Sequence, residues 1–148
     1  MRIIITIISI SVFFCQQYEA FHYKTKFRKI RAGKTKIVLL VKQDDPLKKI
    51  ITIESFSTRL IDLIYKLRHF STILVDNDNY SLLATTKKIQ QGKYIDSYNA
   101  TIDNNESIIY YQNTKDIINN INPDKIISIP FEGRIYDPFG IVFYLREL

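Results

Sequence analysis

The sequence predicts an α+β fold, a mixed sheet wrapped on one helix, with a C-terminal strand-rich extension. Three observations predict it: β-branched apolar runs bounded by turn residues, one change of hydrophobic period from about two to about 3.6 residues after Ser57, and the resulting order strand, turn, strand, helix, strand. With 148 residues, 46% of them hydrophobic, the chain is long enough to build one core. Four Gly, four Pro and one Cys exclude collagen-like, low-complexity and disulfide-scaffold classes.

The chain opens with Met1-Arg2, an apolar run from Ile3 to Phe14 broken only by Thr6, Ser9 and Ser11, and the polar Cys15 to Ala20. A basic start, apolar middle and polar end form the pattern of a secretory signal peptide, assigned to residues 1–20. The run is shorter than the about 20 apolar residues a bilayer span needs, so no transmembrane span is expected. The competing reading is a buried first strand, which would make the protein cytoplasmic. Asn79, Asn99 and Asn105 each begin an N-x-S/T sequon, where chance supplies about one, which favours export. Secretion or an ER-lumenal location is therefore the expectation.

Net charge is +6, but it is unevenly placed. Lys24, Lys26, Arg28, Lys29, Arg31, Lys34 and Lys36 fall in a stretch without acid, so the rest of the chain is near neutral. Interleaved with His22, Tyr23, Phe27 and Ile30, these cations form a basic strand or arm over residues 21–35 and its border. Such an arm suits an anionic surface: glycan, membrane headgroup or nucleic acid. Ala32-Gly33-Lys34-Thr35 ends like a phosphate-binding loop, yet Arg28 stands where that motif needs its first glycine.

The run Lys36 to Lys42 reads as a strand, Gln43-Asp44-Asp45-Pro46 as a turn, and Leu47 to Glu54 as a second strand. In that second strand Ile51 and Ile53 share one face, while Ile50, Thr52 and Glu54 share the other. Leu60, Ile61, Ile64 and Leu67 then fall at helical spacing. Ser57 is the expected N-cap, Asp62 and Lys66 an ion pair, and Arg68 and His69 the closing cations of a helix from Thr58 to His69. Thr72 to Val75 reads as the next strand, followed by the turn Asp76-Asn77-Asp78-Asn79. This order is the opening of a β-grasp domain.

Val41-Lys42-Gln43 and Lys49 to Glu54 look like the first hairpin of the ubiquitin-like family. Gly92-Lys93-Tyr94-Ile95-Asp96-Ser97-Tyr98-Asn99, followed by Glu106-Ser107-Ile108-Ile109, is similar to the family's Gly-x-x-Leu-Ser-Asp-Tyr-Asn turn and its Glu-Ser-Thr-Leu last strand. Residues 36–112 thus resemble a ubiquitin-like β-grasp domain. The resemblance implies a protein-interaction module, with Leu74 at the third-strand position of the family's apolar binding patch. Tyr111-Gln112-Asn113-Thr114 continues without a Gly-Gly tail, so covalent conjugation is not expected.

Residues 113–148 are too apolar for a linker and are expected to pack on the same domain. They comprise a short helix from Lys115 to Asn120 and two strands, Ile126 to Ile129 and Ile141 to Leu145, separated by the turn Asp137-Pro138-Phe139-Gly140.

No catalytic constellation emerges. His22 and His69 have no metal-ligand spacing. Asp76 to Asn79 lacks the glycine and closing glutamate of a calcium loop. Ser71, His69 and Asp76 are too close in sequence for triad geometry. The expectation is a non-enzymatic module without cofactor or metal, working through a protein partner or through the basic residues 24–36. The alternatives are an intracellular ubiquitin-like adaptor and an anion-binding module.

Overall fold

The computed structural model describes residues 18–115 and 125–148, except the side chain of Phe27. Of the signal peptide expected at residues 1–20, positions 1–17 lie outside the described residues, as does most of the expected helix from Lys115 to Asn120, whereas Tyr18, Glu19 and Ala20 begin the first strand.

Among the described residues, eight strands form one antiparallel sheet in which spatial order follows sequence order. They are β1 (Tyr18–Phe27), β2 (Ile30–Val41), β3 (Lys48–Ser57), β4 (Leu67–Asp76), β5 (Leu82–Gln91), β6 (Tyr94–Asp103), β7 (Ile108–Asn113) and β8 (Ile126–Pro130). The helices α1 (Arg59–Asp62) and α2 (Pro138–Glu147) accompany them. Residues 21–35 belong to the β1–β2 hairpin.

Period-two alternation puts the core on one face. Register aligns Phe21 with Ile37, Ile37 with Ile53, Leu39 with Ile51, and Ile51 with Ile73. Leu39, Ile51, Ile53, Ile73 and Val75 are buried there. Ile50, Thr52 and Glu54 point to the other face, as the alternation requires.

α2 roofs this inner face. Asp137 caps it, accepting the Phe139 N–H at 3.0 Å, and Pro138 occupies its first turn, where a missing N–H costs nothing. Gly140 lies close to the Tyr80 carbonyl and Val75, Phe143 enters the core, and Arg146 bridges to Glu19 of β1 at 2.6 Å. The helix therefore crosses the sheet from β4 and the β4–β5 turn to β1.

The α+β, mixed-sheet β-grasp expected from the sequence is corrected. Every strand pair is antiparallel. The segment expected to be the central helix, Thr58 to His69, contains only the four residues of α1, and Leu60 and Ile64 face solvent. Its second part is the start of β4. Ser57 is not its N-cap: the Ser57 hydroxyl donates to Asp62 and accepts the Leu67 N–H at 2.8 Å. Asp62 pairs with Arg68 rather than Lys66. At the other end, Ile141 to Leu145 forms part of α2 instead of a strand, whereas the expected strand at Ile126 to Ile129 coincides with β8.

Candidate anion-binding surface

Because side chains alternate, the even-numbered residues of β1 and β2 that carry charge fall together on the outer face, away from α2. Lys24 stands opposite Lys34 and His22 opposite Lys36. On β3, Glu54 faces Lys36 and Phe56 faces Lys34. Next along the sheet come Arg68 opposite Phe56 and Phe70 opposite Glu54. A depression of about 230 Å³ forms among His22, Lys24, Lys34, Lys36, Glu54 and Phe56. A second hollow of about 190 Å³ adjoins it, sharing Lys36 and Glu54.

Phe56 organises the cations. The Lys34 ammonium lies 6.0 Å and the Arg68 guanidinium 5.9 Å from its ring centre, where the ring's negative face attracts positive charge. Phe70 meets Phe56 edge-on at 5.1 Å. Glu54 is the one carboxylate in the depression, and among the described residues Lys24, Lys34 and Lys36 form no ion pair.

The hairpin tip carries the remaining cations of the basic stretch. Lys26, Arg28, Lys29 and Arg31 are exposed there, with Arg28 in the left-handed region at φ 55°. The structure thus brings all seven cations onto one hairpin, three on its outer face and four at or near its tip. Leu74 is not with them. It is half-buried on the outer face between Ile50 and Ala84, about 20 Å along β4 from Arg68 at ~3.3 Å per residue. Ala32 to Thr35 lie within β2, so the phosphate-loop resemblance has no loop to support it.

Phe56 and Arg68 escape the sequence reading. Thr52, Glu54 and Phe56 continue the alternation that begins at Ile50, and following it two residues further would have placed Phe56 on the same face as Glu54. Arg68 is hidden by the helical spacing of the leucines before it.

The inner face holds a second polar group. His69 and Ser71 of β4 face Ile89 and Lys87 of β5, and Lys87 bridges to Asp137 at 2.8 Å. Burial, then the nearby Lys87 charge, lower the His69 pKa, with Asp137 opposing. No hydrogen bond joins His69 to Ser71, whose Oγ is buried without a partner. Asp76 accepts the Asp78 and Asn79 N–H groups in the β4–β5 turn. These three residues make no triad. No cluster of three metal-binding side chains occurs among the described residues, and no helix there is long and apolar enough to cross a membrane.

Compared with family models, curated proteins and solved structures, the chain matches none.

Proposed function

We propose that the protein is an exported, non-enzymatic interaction module that docks on an anionic surface through the outer face of its first hairpin. The observation that carries this reading is the placement of Lys24 directly opposite Lys34. Like charges at facing positions destabilise a ladder. A chain that keeps them, flanks them with Lys36 and His22, and leaves Glu54 as the sole carboxylate among the described residues lining the depression holds positive charge ready for an external anion. Polyanions carry sulfate, phosphate or carboxylate groups at repeated spacing, and displacing their counterions supplies salt-dependent affinity. The apolar run at Ile3 to Phe14 supports export.

Retention on immobilised heparin and on nucleic acid tests the docking. The wild-type protein is expected to elute at high salt, and the Lys24→Ala/Lys34→Ala/Lys36→Ala variant at much lower salt with an unchanged circular-dichroism spectrum. Equal retention of the two rejects the reading. Mass spectrometry of the N-terminus after expression in a secreting cell tests export, which an intact Met1 on cytosolic protein rejects.

A further inference from the structure

In an antiparallel meander, alternate connections share one end of the sheet. The β1–β2 turn, the β3–β4 connection and the β5–β6 turn all lie at the same end here, and hydrogen bonds tie them together. Thr58 Oγ1 donates to the Arg31 carbonyl at 2.8 Å, and the Gly92 N–H donates to the Lys66 carbonyl at 2.7 Å. The β3–β4 connection is held rigidly. Arg68 Nη1 donates to Asp62 at 2.9 Å, Ser57 Oγ anchors both Asp62 and Leu67, and the Ile64 and Tyr65 N–H groups donate to the Ile61 carbonyl.

What this braced connection presents is apolar. Leu63 is 83% and Ile64 86% exposed, with Leu60 and Tyr65 beside them. Ile30 on one flank and Tyr94 on the other are exposed as well. Around them stand exposed cations: Lys26, Lys29 and Arg31 from the first hairpin, Arg59 and Lys66 from the connection, and Lys93 from the β5–β6 turn. Among the described residues, the acids of this end are engaged, Asp62 by Arg68 and Asp96 by the Tyr94 hydroxyl.

We propose that this end of the sheet seats on an anionic lipid bilayer, with Leu60, Leu63 and Ile64 entering the headgroup–acyl boundary and the surrounding cations meeting anionic headgroups. The proposal rests on the anionic-surface reading above and narrows the partner. Two independent features select a bilayer. Aliphatic side chains held out in water gain from an acyl phase, which neither a sulfated glycan nor a nucleic acid offers. The ring of cations complements an anionic leaflet and opposes end-to-end pairing with a second copy, which would set cation against cation. The proposed contact is peripheral, made by the side chains of one connection and its neighbours.

Flotation with phosphatidylcholine vesicles containing or lacking phosphatidylserine, run beside heparin retention, tests this. The full chain is expected to float with anionic vesicles only. Leu63→Ser/Ile64→Ser is expected to lose at least ~10-fold in partitioning while its heparin retention stays unchanged. Each of Lys29→Ala and Arg59→Ala is expected to lower partitioning by about fivefold. The chain has no Trp, so Leu63→Trp supplies a single reporter, whose emission shifts to the blue on adding anionic vesicles. Vesicle binding undiminished in the serine variant, or unshifted emission from the tryptophan one, overturns bilayer seating. So does retention on heparin or nucleic acid by a protein that ignores vesicles, which leaves the anionic-surface reading standing. Absence of binding to heparin, nucleic acid and vesicles alike overturns both.

Discussion

Lys49 of β3 and Glu147 at the end of α2 meet across the core, the ammonium 3.2 Å from each carboxylate oxygen. The Tyr80 hydroxyl completes the group, accepting from Lys49 at 2.6 Å and donating to Glu147. Lys49 is only 5% exposed, so these two partners stand in for the water its ammonium has lost. Glu147→Gln is expected to cost roughly 1–3 kcal/mol in urea unfolding, because it strands a buried cation. Lys49→Met removes cation and need together and is expected to be nearly neutral. Burial raises the Glu147 pKa, but hydrogen bonds from Tyr80 and Lys49 outweigh it and leave the pKa lowered. Its contribution is therefore present above the ordinary value of 4.5 and fades on acidification below it.

His69 gives a second pH dependence, at higher pH. Its pKa lies below 6.5 because burial and Lys87 disfavour the imidazolium. A depressed pKa stabilises the fold above the unfolded value, so stability is expected to fall as pH drops below 6.5. Melting temperatures between pH 7.5 and 5 check this. His69→Gln should flatten the slope in that interval, and a slope as steep as that of the wild type refutes the assignment.

Gly33 is required by a close approach of strands. A methyl at its Cα would sit 2.8 Å from the Phe56 carbonyl oxygen, which belongs to the adjacent backbone and cannot swing aside. Gly33→Ala is expected to destabilise by about 2 kcal/mol through forced separation of β2 and β3. It is also expected to disturb the Lys34–Phe56 contact on the other face, read as weaker heparin retention. Gly133→Ala is the control: its site is open, and the φ of +75° is the only penalty, about 1 kcal/mol.

The three sequons are not equivalent. Asn99 lies within β6 with its Oδ1 buried, and the Asn79 side chain accepts the Ser81 N–H at 2.8 Å. Asn105 is exposed in the β6–β7 turn. Expressed through a glycosylating secretory pathway, the protein is expected to carry its glycan at Asn105. Asn105→Gln should abolish the glycosidase-sensitive mobility shift, whereas Asn99→Gln should leave it intact.

Strands were legible wherever β-branched residues alternate or run together between turns, as at Lys36 to Lys42, Leu47 to Glu54 and Thr72 to Val75. The turn at Asp76 was legible from its Asx chemistry. The helix was misplaced because Leu60, Ile61, Ile64 and Leu67 satisfy helical spacing, although nothing in periodicity says which face is covered. The residues that roof the sheet lie 80 positions later, where Asp137-Pro138 is an N-cap and first-turn pair that reads equally as a turn. Five apolar or aromatic residues in a row, Ile141 to Leu145, mask the helical stripe. The basic cluster was fully visible as a run of charge, but its pairing with Phe56 and Arg68 depends on register, which is set across strands rather than along them.

Each strand of this protein is hydrogen-bonded only to its immediate predecessor and successor, so pairing can proceed by successive zipping of hairpins as the chain is synthesised. Among the described residues, the greasy side is covered by Pro138 to Glu147, joined by Phe131 and Ile135. A nascent chain halted before Asp137 would display Ile51, Ile73 and Val75 to its surroundings, and is expected to need a holding chaperone until the final ten-residue cap folds down.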